Sequence, residues 1–164
     1  MKELWIMRHA KAVTEIPGKG DFDRGLRTDR LGDIKLVETA AEKAGFSPPE
    51  WIVHSASART TETARLMGQY RMNKPLLLAE QALYLADELT IRQYVAALPA
   101  HVNRVAIVGH NPGLTDVVQL FSPQPIINLP TAGMVIVGMK SWDDIRFPVK
   151  VIWKGLFIPK TLRQ

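Results

Sequence analysis

Two stretches of the chain set a histidine directly after an apolar run. Arg8-His9-Ala10 follows residues 4–7, and Gly109-His110-Asn111-Pro112-Gly113 follows residues 105–108. A third stretch, His54-Ser55-Ala56-Ser57-Ala58-Arg59-Thr60, follows the apolar residues 51–53. Setting aside His54, which reads as structural or exposed, they offer two imidazoles, His9 and His110, and two guanidinium groups, Arg8 and Arg59, a set suited to phosphoryl transfer. A phosphomonoester presents a dianion whose transition state spreads charge over equatorial oxygens, with entering and leaving atoms in line. The planar fork of arginine grips two phosphate oxygens and stays charged. A neutral histidine nitrogen can attack phosphorus and form a covalent phosphohistidine that water then opens. Arg8 and Arg59 are expected to disfavour imidazolium at His9 and so keep its lone pair available. His110 stands just before a helix N-terminus, where backbone N–H groups and the helix dipole favour an anion. It is expected to donate to a phosphoryl oxygen. Arg59 lies in the first turn of a helix, an unfavourable place for a cation unless it has an anion to meet.

These groups meet only if their loops share one edge of a sheet. Residues 4–7, 51–53, 76–78 and 105–108 read as buried strands. A long polar loop runs from the first strand to about Arg30. A helix over 33–44 carries Val37, Ala40, Ala41 and Ala44, and Gly45 with Pro48-Pro49 ends it. A second helix is expected from Ala58 to about Tyr70. A third has Ile91, Tyr94, Val95 and Leu98 at helical spacing, stopped by Pro99. Asn111 can cap a fourth, with Pro112 at its first position and Leu114, Val117, Val118 and Phe121 as its core stripe. Residues 134–139 and 149–158 read as late strands. This alternation predicts one domain over 1–164, a three-layer α/β/α sandwich with a mainly parallel sheet. In such sheets ligands bind beyond the carboxyl ends of the strands, where all three stretches fall.

Composition narrows the function classes. Of 164 residues, 46% are hydrophobic and 23% charged, which suits a globular protein and argues against disorder. The absence of cysteine excludes disulfides, thiolate metal sites and cysteine nucleophiles. No secretory signal pattern and no apolar stretch of about 20 residues is present, so a cytoplasmic protein without a membrane segment is expected. The net charge of +5 is concentrated late: residues 140–164 hold Lys140, Arg146, Lys150, Lys154, Lys160 and Arg163 against Asp143 and Asp144. Basic residues near Trp142, Phe147, Trp153 and Phe157 could contact RNA or DNA. A solvated outer sheet face with its aromatics turned inward is the stronger reading, and no nucleic acid is expected. Asp21-Phe22-Asp23 resembles the paired aspartates of metal-dependent aspartyl phosphatases. It follows Pro17-Gly18-Lys19-Gly20, however, where those enzymes have a hydrophobic strand. There is no P-loop and no short histidine pair for a metal, so neither metal nor cofactor is expected.

The three stretches resemble a known family. Arg8-His9-Ala10 after an N-terminal strand looks like the Arg-His-Gly signature of the histidine phosphatase (phosphoglycerate-mutase-like) superfamily, with Ala10 in place of the usual glycine. Residues 55–64, with Arg59 and Thr63-Ala64, resemble its second motif, and residues 108–113 its third. Lys11-Ala12, Asp23-Arg24 and the short chain are most similar to the small bacterial protein-phosphohistidine phosphatases. The resemblance runs from about residue 2 to residue 139. It implies a phosphoglycerate-mutase-like fold, His9 as the phosphorylated nucleophile, and Arg8, Arg59 and His110 as a phosphate pocket with Arg24 as a further contact. It also implies Glu80, after the third strand, as general acid, with Asp21 and Asp23 in reserve. In the acid-phosphatase and phytase branch an Asp follows the second histidine, where this chain has Asn111. Departures are Ala56 in place of the usual proline and a longer segment over 25–32.

Each role has a plainer counterpart. Arg24 reads equally as an ion-pair partner of Asp21 or Asp23, and Glu80 as a solvated loop carboxylate. His54 and His101 read as structural or exposed, and Thr131 as a turn residue. The expected function is a metal-independent phosphatase acting on phosphohistidine of a partner protein, such as a phosphotransfer domain. A small phosphate metabolite is the alternative substrate. A non-catalytic anion- or nucleic-acid-binding module is the second alternative.

Overall fold

The computed structural model describes residues 1–69 and 71–163. Its organisation follows from strand β1 (Lys2–Arg8), whose successive side chains point to opposite faces. Leu4 and Ile6 enter one hydrophobic cluster, while Trp5 and Met7 enter another. Five further strands complete the sheet: β2 (Trp51–Ser55), β3 (Leu76–Glu80), β4 (Arg104–Gly109), β5 (Met134–Met139) and β6 (Ile152–Phe157). Their spatial order is β3-β2-β4-β1-β5-β6. The first four strands pair in parallel, β5 runs antiparallel to β1, and β6 runs antiparallel to β5. The central strands are near-continuous apolar runs because helices cover both faces.

Helices α1 (Gly32–Lys43) and α2 (Ala58–Leu66) give Ile34, Val37, Ala41 and Ala64 to the cluster around Trp5. Helices α3 (Glu88–Ala96) and α4 (Gly113–Gln119) give Ile91, Val95, Leu114, Val117 and Val118 to the cluster around Leu4. A short α5 (Pro159–Leu162) is the last described helix, with Leu162 packed on the cluster around Trp5. The result is the expected α/β/α sandwich. No helix among the described residues is long and apolar enough to cross a membrane.

Four local differences have physical causes. Helix α2 stops at Leu66, because Met67 turns to extended backbone and Gly68 adopts φ +68°; Tyr70, its expected end, lies outside the described residues. Strand β6 begins at Ile152 rather than at residue 149, since Pro148 opens a 3-10 turn over Pro148–Lys150 and offers no N–H to a ladder. Only Lys154 of the six late basic residues therefore lies in a strand, and although Trp142 is buried, Phe147 is exposed. Helix α3 starts earlier than its apolar spacing suggests, with the Asp87 carboxylate accepting from the Thr90 N–H at 2.9 Å, an ordinary N-cap. Pro112 is the N-cap of α4 rather than its first residue, and Asn111 Oδ1 instead accepts from the Thr115 N–H at 3.2 Å and its hydroxyl at 2.8 Å.

The start of α4 fixes the loop that carries His110, and it lies tight against a neighbouring backbone. A Cβ at Gly113 would stand 2.0 Å from the Ala86 carbonyl oxygen, so only glycine fits unless the backbone moves. Gly113→Ala is therefore expected to destabilise the protein by about 1–3 kcal/mol in urea unfolding. Wild-type stability in this variant would show that the contact is not tight in solution.

Candidate active site

Strands β1, β2 and β4 end side by side. Arg8 pairs with Gly109 at the last position of the β1–β4 ladder, so the residues that follow, His9 and His110, emerge together. Backbone bonds hold them there. The His9 N–H donates to the Gly109 carbonyl at 3.2 Å, and the Ala132 N–H donates to the carbonyls of Arg8 and His9 at 3.1 and 3.0 Å. The Thr63 hydroxyl donates to the Arg59 carbonyl at 2.8 Å and accepts from the Ala10 N–H at 3.1 Å, tying the first stretch to the second. The rings of His9 and His110 lie 5.4 Å apart, centroid to centroid, inclined at 58°.

Both imidazoles are buried and neutral, and hydrogen bonds decide which nitrogen bears the proton. At His9, Nδ1 lies 2.6 Å from the Ala10 carbonyl. A carbonyl only accepts, so Nδ1 carries the hydrogen and Nε2 keeps its lone pair. The His9 pKa is pushed down to about 3, chiefly by burial; the Ala10 bond opposes this, and His110, Arg8 and Arg59 add to it. The arginines act in the expected direction, but desolvation is the larger cause.

At His110, Nε2 lies 2.9 Å from Ser55 Oγ. The Thr60 hydroxyl donates to the Ser55 carbonyl at 2.6 Å, which leaves the Ser57 hydroxyl to donate to Thr60 Oγ1 at 2.6 Å. Ser55 Oγ accepts from the Ser57 N–H at 3.4 Å, so its own hydrogen is available to His110 Nε2, and in that arrangement Nδ1 bears the ring proton. Burial, followed by Arg59, lowers the His110 pKa to about 4.

Three buried nitrogens have no hydrogen-bond partner among the described residues: Arg8 Nε, Arg59 Nε and His110 Nδ1. Native interiors leave few donors unpaired, and these three belong to the residues expected to hold a phosphoryl group. Other nitrogens of the same side chains are satisfied. Arg8 Nη1 donates to the Leu129 carbonyl at 3.1 Å, and Arg59 donates from Nη1 to the Asp21 carbonyl at 2.8 Å and from Nη2 to Asp21 Oδ2 at 3.0 Å. Burial first, and Arg59 second, lower the Arg8 pKa. The two guanidinium groups thus feel each other across a poorly solvated site.

Asp21 is the hub on the opposite side. Tyr84 Oη donates to its Oδ2 at 2.5 Å, and Arg24 donates from Nε and Nη2 to its Oδ1 at 3.0 and 2.9 Å. The tyrosine hydroxyl foremost, then Arg24 and Arg59, hold this carboxyl well below the usual carboxylate range against a desolvation that opposes them. An aspartate so held has no proton to give near neutral pH. Arg24 is directed to Asp21 and to the Val13 carbonyl at 2.9 Å, one step behind Arg59. Glu80, the last residue of β3, accepts from the Tyr94 hydroxyl at 2.9 Å, so its carboxylate turns toward α3. Asp23 is exposed. His54 is buried and donates to the Ser55 carbonyl at 2.8 Å, while His101 is exposed with its ring 6.3 Å from that of Trp51. Thr131 is half-buried in the turn before Ala132. No group of three or more His, Cys, Asp or Glu among the described residues is placed to hold a metal ion.

Two residues at this site were not singled out by the sequence. Ser55 fixes the His110 proton. Tyr84 sets its ring edge-on to His110 at 5.5 Å and to Phe22 at 4.9 Å, walling the site. Both lie at the carboxyl end of a strand or just after one, and that position was the available signal.

No family model matches the chain, and none of the curated proteins matches it in sequence. Solved structures match it along nearly its whole length. A protein assigned as the phosphohistidine phosphatase SixA from Agrobacterium tumefaciens is 23% identical, with a TM-score of 0.78 over 96% of this chain and 98% of its own. Another SixA, from Nakamurella multipartitia, is 21% identical, with a TM-score of 0.79 over 96% of both chains. The protein histidine phosphatase SixA in complex with tungstate is 19% identical, with a TM-score of 0.79 over 98% of this chain and 99% of its own. At these identities the likeness establishes the fold, which is the one the sequence resemblance implied.

The neutral imidazoles make stability pH-dependent. His9 and His110 titrate near 6.5 when unfolded and near 3 and 4 when folded, so on acidification the unfolded chain takes up protons first. Their contribution is complete above about pH 6.5 and is lost progressively as the pH falls toward the folded values. Urea unfolding is expected to show a loss on the order of 1–3 kcal/mol between about pH 6.5 and 4.5, with a shallower slope in His9→Asn. Equal slopes in the two proteins would show that His9 titrates normally.

Proposed function

We propose that the protein is a phosphatase that forms a covalent phosphohistidine on His9, without a metal ion, and acts in the cytoplasm on phosphohistidine carried by a partner protein. One observation carries this reading: the three unpartnered buried donors belong to Arg8, Arg59 and His110, around an imidazole whose Nε2 is free to attack. Two fixed cations and a neutral N–H donor suit a phosphoryl dianion, and being already in place they need no reorganisation as charge shifts in the transition state.

The steps follow from the protonation states. His9 Nε2 attacks phosphorus while the P–N bond to the substrate's protonated ring breaks, its electron pair leaving with the substrate nitrogen so that neutral imidazole departs. The positive charge that develops on the His9 ring is shared through Nδ1–H with the Ala10 carbonyl. Water then attacks phosphorus, releases inorganic phosphate and returns His9 to the neutral state. Imidazole is a better leaving group than an alkoxide, so strong acid help is less necessary. That suits a site in which Asp21 is held ionised and Glu80 is turned to Tyr94. The shared fold with SixA structures, one of them in complex with tungstate, a tetrahedral oxyanion, supports the same reading.

The test is incubation with a protein phosphorylated on histidine. The wild type is expected to release phosphate and to yield a trappable, acid-labile phosphoenzyme. His9→Asn, whose amide can still donate to the Ala10 carbonyl, is expected to do neither. Arg8→Ala and Arg59→Ala are expected to lower kcat/KM by roughly 10²–10³-fold. Phosphate release that persists in His9→Asn would overturn the mechanism. A kcat/KM far higher on small phosphate metabolites than on the phosphoprotein would overturn the substrate class.

A further inference from the structure

The late basic residues find no use at His9, yet the topology brings two of them to its side of the molecule. Met7 pairs with Met134, and Met134 pairs with Phe157. Strand β6 therefore delivers the chain to the sheet edge from which His9 emerges, and α5 begins there. Lys160 and Arg163 on this segment join Lys11, two residues after His9, and Arg30, two residues before α1. The four line a shallow cavity of about 110 Å³, with Asp33 and Thr131 completing its rim. Thr131 adjoins Ala132, whose N–H holds the carbonyls of Arg8 and His9, so this cavity and the candidate active site share a wall.

The charge of the cavity is unbalanced. Asp33 is the sole carboxylate among its described lining residues, and Arg163 is its partner. Lys11, Arg30 and Lys160 form no ion pair among the described residues, and both lysines are exposed. A nucleic-acid surface reads as a wider basic patch or stripe, and three of the other late cations lie away from the cavity or are paired. Lys140 follows β5 at the opposite sheet edge, where Met139 pairs with Lys2, while Arg146 is paired with Asp143 and Lys154 with Glu3. The cations are thus gathered in one small ledge rather than spread along a groove.

We propose that this ledge docks an acidic protein surface: a carboxylate side chain of the substrate protein seats among Lys11, Arg30, Lys160 and Arg163 while its phosphohistidine reaches His9. The proposal rests on the phosphatase reading and adds a recognition element for the protein that carries the phosphoryl group. Complementary charge at a rim acts mainly on encounter and partner choice, so the ledge should matter for a protein substrate and not for a small one.

The test uses the whole protein and the double variant Arg30→Gln/Lys160→Gln, which leaves Lys11 and the Arg163–Asp33 pair intact. Binding of a fluorescein-labelled oligoglutamate peptide is followed by anisotropy, with an oligouridylate of equal charge as the competing probe. The peptide is expected to bind the wild type and to lose about fivefold in affinity in the variant. In parallel, kcat/KM on an acidic phosphohistidine protein should fall by a similar factor, through KM, while that on free phosphohistidine stays constant. Unchanged peptide binding, or tighter RNA binding with the same loss in the variant, would overturn the proposal, as would an equal fall on both substrates. Loss of peptide binding in the variant when the wild type hydrolyses neither substrate would support the acid-binding ledge and overturn the phosphatase reading instead.

Discussion

A half-buried guanidinium, Arg8, whose pKa is lowered by burial and by the buried Arg59 beside it, is the constraint around which the rest of the site is arranged. Charge taken from water is costly unless paired and hydrogen-bonded. The protein supplies one carboxylate, Asp21, to Arg59, and only a neutral carbonyl, that of Leu129, to Arg8. Positive charge is left over at the mouth of the sheet. Its consequences extend outward: neighbouring imidazoles resist protonation, a tyrosine hydroxyl and a second arginine are enlisted to hold Asp21, and two guanidinium Nε atoms remain unpartnered. On the proposed reading, a phosphoryl dianion is what completes the site.

The imidazoles show how second-layer bonds turn a cluster of residues into a chemical arrangement. A backbone carbonyl next in the chain to His9 sets its proton on Nδ1, and a serine three residues before the start of α2 sets the His110 proton on the same ring position. The two rings therefore present opposite characters toward the site: a lone pair from one, an N–H from the other. Nothing in this depends on the net charge of the protein. It depends on Ser55 Oγ, which accepts the Ser57 N–H and keeps its own hydrogen for His110 Nε2.

Much of this was legible in the sequence, for identifiable reasons. Strands covered on both faces read as apolar runs, so the ends of β1, β2 and β4 could be located, and with them His9, Arg59 and His110. Helices α1 and α4 announced themselves through glycine, proline and apolar spacing. The parts that were not legible depend on contacts far apart in the chain. Tyr84 is a single aromatic in a loop, and only the fold brings its hydroxyl to Asp21. Arg24 and Glu80 each had two readings because spacing cannot tell which way a side chain turns; the fold turns one to Asp21 and the other to Tyr94. The 3-10 turn at Pro148 was hidden because its valines suit a strand, although the proline does not. The arginines act on His9 as expected, but the larger cause of its neutral state was hidden for the same reason, since burial is a property of the packed molecule.

Convergence of Arg8, Arg59 and His110 on one oxyanion beside His9 can be followed by titration with phosphate or tungstate in 15N NMR. One equivalent is expected to bind, with the Nε resonances of Arg8 and Arg59 and the Nδ1 resonance of His110 all shifting along a single isotherm. Saturable binding that leaves these three nitrogens unmoved, or that moves them with separate affinities, would contradict that convergence.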